Sequence, residues 1–346
     1  WCSNICMFVY VHKFIFLFKK KVKYKSINFY SIDIFLKNMT KSIVFPGQGS
    51  QYLGMGKHLY DNFDISKRVF QEVDDALDFK LTEIIFGDAP DKLNLTENTQ
   101  PAIMAVSIAT LEALKKEKGI NINEFNFCAG HSLGEYSALV AAKSIKLSDA
   151  AKILKKRGQA MQNAVPIGQG AMAAILNIQV QDLDKFIEET NFLTVEISND
   201  NCPGQCVVSG NKEEIDNFVN LIKNELKKKA ISLPVSAPFH CKMMKSAADE
   251  LKNFLKHFEI NDPAIPIVSN VSVLPIKSSN EIEQLLISCV YNRVRWRETI
   301  EFFYKNNILE CIECGPGKAL TNMFKRFEFD IKCVKLDNME DLKNYV

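Results

Sequence analysis

Residues 125–144 read FNFCAGHSLGEYSALVAAKS: a strand-like run to Ala129, a GxSxG turn at 130–134, then ten helix-favouring residues. A tight strand-to-helix turn leaves no room for side chains beside its central residue, which is why Gly130 and Gly134 flank Ser132. Such a turn lifts the Ser132 hydroxyl to the helix start, where the Leu133 amide and the helix dipole face a developing oxyanion. The plainer alternative is a glycine-flanked serine in a tight turn. A strand feeding directly into a helix predicts an α/β architecture.

The pattern continues outward. Short apolar runs at 42–45 and 126–129 alternate with helical periodicity over 60–77 and 102–118, the rhythm of a parallel sheet. Beyond Pro166 the texture changes to runs at 171–175, 194–198 and 206–209, with helices around 181–189 and 212–228 and an extended run at 231–235. Strand, helix, strand, strand, helix, strand is the order of a ferredoxin-like unit. The expected organisation is a leader over 1–40, one large α/β domain formed by 41–166 and 236–346, and a smaller inserted domain over 167–235.

The chain has 346 residues, 47% of them apolar and 24% charged, which fits a globular protein of about two units by length. Its net charge of +2 hides an asymmetry: residues 1–40 carry seven Lys and one Asp, leaving the remainder at −4. A mildly acidic body offers no long-range attraction to nucleic acid or anionic membrane, so neither is expected as a partner. The leader is apolar over 7–18 and then basic. It is too short to span a bilayer as a helix and reads as a targeting segment, with Met7 or Met39 as alternative initiators.

Ten Cys at irregular spacing argue against a disulfide framework. Cys311 and Cys314, with Cys202 and Cys206, form two short-spaced pairs that together offer four thiolates to zinc. The simpler reading is buried Cys acting as small apolar residues, and no metal site is expected.

An activated serine needs a base, and there are five His to choose from. His12 lies in the leader, His58 and His257 sit among charged helical residues, and His131 should face away from Ser132. His240, on a loop after an extended run, is the base by elimination. No acid follows it closely, so a backbone carbonyl is expected to hold its tautomer. The helix over 148–163 aligns Ala150, Ile153, Leu154, Ala160 and Met161 in one apolar stripe, and Arg157 falls on that stripe. A cation directed at the core needs a partner, either a substrate carboxylate gripped in the two-pronged guanidinium geometry or a distant acid of the protein. The loop 46–51, PGQGSQ, follows the first strand where open α/β sheets place their sites. It lacks the third glycine of a dinucleotide fingerprint, because Tyr52 stands there. The Gln48 amide is expected to be the second oxyanion donor beside Leu133.

Taken together, 45–51 (FPGQGSQ), 130–139 (GHSLGEYSAL), 157–162 (RGQAMQ), 170–174 (GAMAA), 201–205 (NCPGQ), 237–240 (APFH) and 315–320 (GPGKAL) resemble the malonyl-CoA:acyl carrier protein transacylases, in unbroken order from about residue 42 to about 330. The resemblance implies an α/β-hydrolase-like large domain with a parallel sheet, interrupted by a ferredoxin-like small domain. It implies Ser132 as acylated nucleophile, His240 as base, Arg157 as clamp for the malonyl carboxylate, and the Gln48 and Leu133 amides as oxyanion hole. Gln100 and Asn201 match pocket positions of the family. Phe239 matches members that select unsubstituted malonyl, since a ring there crowds an α-methyl branch. Cys289 stands where bacterial members carry a Gln whose main-chain carbonyl orients the catalytic His. Arg293 replaces a usual Pro.

The implied reaction is a ping-pong malonyl transfer from malonyl-CoA to the carrier's phosphopantetheine thiol, with no cofactor. An acidic acyl carrier protein is the expected partner, met by Lys318, Lys325 and Arg326, which otherwise read as a solvated helix face. The enzyme is expected to act as a monomer. A serine esterase shares GxSxG but has no use for Arg157, and a scaffold would leave the acyl group untouched. The leader beside a separate, bacterial-style transacylase points to a plastid-type organelle, with the mitochondrion second.

Overall fold

The computed structural model describes residues 40–235 and 237–345, so the leader expectation lies outside the described residues. The first sheet has six strands: β1 (Lys41–Phe45), β2 (Phe127–Gly130), β7 (Ile267–Val268), β8 (Pro275–Ile276), β9 (Glu310–Cys314) and β10 (Lys332–Leu336). Its order is β10-β9-β1-β2-β7-β8, and every pairing is parallel except the short edge strand β8. Both faces are covered, as the near-continuous apolar strands require. Alternation along β1 shows it: Ile43 and Phe45 enter the core under the long helices, while Val44 joins a core on the opposite face with Trp296, Ile300 and Phe303.

The second sheet is built from β3 (Gly170–Leu176), β4 (Glu196–Cys202), β5 (Gln205–Asn211) and β6 (Lys229–Ser232) in the order β4-β5-β3-β6, wholly antiparallel. Helices Val180–Glu188 and Lys212–Asn224 cover it through their own apolar cluster around Leu183, Ile215 and Phe218. That is the ferredoxin-like arrangement. Met172 and Val207 nevertheless pack into the large core, so the second sheet is anchored to the first.

Two helices differ from expectation. The helical run over 60–77 is broken at Phe63, whose extended backbone separates Lys57–Asn62 from Asp64–Leu77. The helix expected from 102 begins at Thr96 and carries Pro101 inside it. Proline has no amide to donate, which normally marks a helix start. Here Asn98 and Thr99 tie the first turn to the Lys92 and Leu93 carbonyls instead, so the helix runs through.

Among the described residues, no helix is long and apolar enough to cross a membrane, and no His, Cys, Asp and Glu cluster can hold a metal. Cys202, Cys206, Cys311 and Cys314 are buried, and burial pushes all four thiols up.

Candidate active site

The carboxyl ends of the adjacent strands β1 and β2 bring the glycine loop and the serine turn together. His131 N–H donates to the Phe45 carbonyl at 3.0 Å. Gly47 lies so close to His131 that a Cβ there would stand 2.6 Å from the His131 carbonyl oxygen. Within the turn, a Cβ on Gly130 would meet Gly134 at 1.9 Å, so the first motif glycine is a steric requirement. Ser132 adopts φ +53, a left-handed conformation that costs a non-glycine residue about 1–2 kcal/mol. Asn270 holds it there. Its Oδ1 accepts the Ser132 amide at 2.8 Å, and its Nδ2 donates to the Gly130 carbonyl at 2.7 Å.

His240, itself at φ +59, places Nε2 2.8 Å from Ser132 Oγ. Its Nδ1 is 2.6 Å from the Cys289 carbonyl. A carbonyl only accepts, so Nδ1 carries the proton and Nε2 is left to accept from the serine hydroxyl. Burial, aided by the Arg157 cation, pushes the imidazole down to about 3, which keeps it neutral at physiological pH. The geometry is that of a hydroxyl primed by a neutral base whose tautomer a main-chain acceptor sets.

Arg157 is 2% exposed. Its Nη1 donates to Gln100 Oε1 at 2.8 Å and its Nη2 to Ser132 Oγ at 3.1 Å, while the Tyr136 ring lies 5.6 Å away. None of the ion pairs among the described residues includes it, and its Nε has no partner there. Among the described residues, no acid therefore stands within ion-pair distance of it. Gln100 is buried beside it and also approaches Met161 Sδ at 3.9 Å.

Other expected site residues are placed less centrally. Asn201 Oδ1 accepts from His131 Nε2 at 2.9 Å, so Asn201 braces the residue before the nucleophile from behind. The His131 ring packs edge-on against Trp296. Phe239 is buried in the large core just before the base. Among the described residues, the Gln48 and Leu133 amides bond to no carbonyl, which leaves both available as donors at the mouth of the turn. Arg293 reaches across to helix Val180–Glu188, where it grips both oxygens of Asp184, and its Nε donates to the Ile197 carbonyl at 3.2 Å. Arg293 thus ties the segment between helices Ser279–Tyr291 and Trp296–Lys305 to the second sheet and its helix.

Two residues at the site escaped sequence reasoning. Asn270 lies 138 positions from Ser132 and carries no motif of its own. Glu135, inside the GHSLGE run, drew no notice in the sequence beyond its helix-favouring character, but is 1% exposed.

Known proteins resemble the chain over most of its length. The acyl transferase domain family matches residues 43–326. The malonyl CoA-acyl carrier protein transacylase of Bacillus subtilis (strain 168) is 42% identical over 306 residues, spanning 87% of this chain and 95% of that protein. A crystal structure of acyl-carrier-protein-S-malonyltransferase from Bartonella henselae superposes with a TM-score of 0.85 at 43% identity, covering 88% of this chain and 98% of that one. A type II PKS acyl-carrier protein in complex with its malonyl-transacylase gives a TM-score of 0.84 at 37% identity, with coverage of 88% and 98%. On the match over residues 43–326 and the near-complete coverage of these relatives, the chain belongs to the acyl transferase domain family.

Proposed function

We propose that this enzyme moves the malonyl group from malonyl-CoA to the phosphopantetheine thiol of acyl carrier protein, through malonyl-Ser132, in fatty acid synthesis. His240 Nε2 takes the Ser132 proton as Oγ attacks the thioester carbonyl, and the Gln48 and Leu133 amides hold the oxyanion. The C–S bond breaks, and CoA leaves as a thiol carrying the proton from His240. The carrier's thiol then runs the same steps in reverse on malonyl-Ser132. One observation carries the reading: a buried guanidinium that forms no ion pair among the described residues, 3.1 Å from the nucleophile. A substrate ending in a carboxylate supplies the missing counter-charge. The relatives' names support the substrate and the acceptor, and the carrier-protein complex of one solved relative supports the partner.

Phe239 is proposed to disfavour branched malonyl groups. The exposed Lys318, Lys325 and Arg326 are proposed to meet the acidic carrier. The leader's composition supports a plastid-type organelle, with the mitochondrion second, and a monomer is the proposed working unit. Incubating the protein with malonyl-CoA should add one malonyl group at Ser132 by intact mass, discharged on adding holo carrier protein. Hydrolysis without transfer favours a serine esterase instead, although the carbonyl of Cys289 stands where an esterase carries an acid.

A further inference from the structure

Beside the clamp lies an acid the mechanism does not use. Glu135 begins the helix Gly134–Ala141, three residues from the nucleophile, and is 1% exposed. Its Oε2 has no hydrogen-bond partner among the described residues, and it forms no ion pair with Arg157 there. A buried carboxyl in this state favours its neutral form. We propose that Glu135 is a specificity-determining charge beside the clamp: as a neutral acid it leaves Arg157 uncompensated for the malonyl carboxylate, and once ionised it competes with that carboxylate for the same cation. The inference rests on the reading of Arg157 given above.

The groups facing Glu135 are few. Arg157 comes from helix Leu147–Asn163, Cys289 from helix Ser279–Tyr291, Tyr136 from its own helix, and the Asn270 backbone amide from the loop after β7. Burial raises the Tyr136 phenol, and it pushes the Cys289 thiol up to about 12. Burial also drives Glu135 up to about 8, against the pull of the Asn270 amide and Arg157. His131 and His240 are both shifted down. Of the groups that burial shifts here, Glu135 alone is brought near pH 8. The sign follows: the site is more cationic below that titration and less so above it, so malonyl binding weakens as pH rises.

The test is the half-saturating malonyl-CoA concentration for single-turnover acylation of Ser132, measured from pH 7 to 9.5. In the wild-type enzyme it should rise on the order of tenfold, the size of a charge–charge repulsion across several ångströms of protein. In Glu135→Gln it should stay flat. Reading the ratio between the two pH extremes within each protein cancels any change in overall rate. An equal rise in the variant overturns the proposal. Should that variant not fold, wild-type enzyme with acetyl-CoA decides: CoA is common to both substrates, so a rise confined to malonyl-CoA supports the proposal and an equal rise with acetyl-CoA overturns it. No malonyl-Ser132 at pH 7 refutes the proposed function itself, whereas malonylation with pH-independent half-saturation refutes only the role of Glu135.

Discussion

Two groups of charges flank the serine turn and are managed in opposite ways. Behind the turn, Arg297 grips Asp200 and Glu301, Arg295 grips Glu298, and Arg293 grips Asp184. In front of it, among the described residues, Arg157 forms no ion pair, Glu135 Oε2 and the Tyr136 hydroxyl are unpartnered, and both Ser132 and His240 hold left-handed backbones. Charges that satisfy one another support a structure. Charges left unsatisfied in a buried site are spent on a ligand, and the cost appears as lost stability. Asn270 joins the two groups: its side chain clamps the Ser132 turn while its carbonyl accepts the Arg295 amide at 2.9 Å.

The contrast can be broken by mutation. Arg297→Ala strands Asp200, which is 1% exposed, and should cost about 3–5 kcal/mol in urea denaturation. Arg157→Ala, by contrast, removes an uncompensated cation and should shift stability by no more than about 1 kcal/mol. If the two losses are equal, the distinction between supporting and functional cations is wrong. Asn270→Ala leaves the Ser132 amide and the Gly130 carbonyl unpaired and should cost about 2–3 kcal/mol. Its acylation rate should fall with little change in half-saturation, because the strained nucleophile drifts while the clamp stays. Arg293→Ala breaks a half-exposed pair and should cost at most about 1 kcal/mol by thermal unfolding.

The smallest expected effect is on pH. A free histidine base would impose an acid limb near its ordinary value of 6.5. With His240 pushed down to about 3, it is neutral from there upward, so acylation by malonyl-CoA should be nearly constant between pH 5.5 and 7. An acid limb centred near 6.5 would contradict the burial of the imidazole.

How much of this was legible in the sequence follows from where each signal resides. Ser132 lies in a local motif whose glycines have a steric reason, and Arg157 breaks an apolar stripe, which periodicity alone exposes. His240 followed from elimination among few candidates. The Cys289 carbonyl was placed only through family resemblance, because a main-chain acceptor has no side-chain signature. Asn270 was invisible, since its partners are backbone groups distant in the chain. Glu135 was visible as a letter, but a first-turn acid is normally solvated, and only the packing of three other elements around it shows otherwise. The sheet rhythm was equally plain, whereas the break at Phe63 and the helix running through Pro101 depend on tertiary contacts that override local preference.

The account stands on Arg157 meeting a carboxylate of the substrate. The direct measurement is kcat/KM of Arg157→Ala with malonyl-CoA and with acetyl-CoA, beside the wild-type values. Loss of about 3 kcal/mol, on the order of a hundredfold, with malonyl-CoA together with an unchanged or improved value for acetyl-CoA is the predicted result. An equal loss with both substrates would show that the guanidinium serves the serine alone and would contradict the clamp.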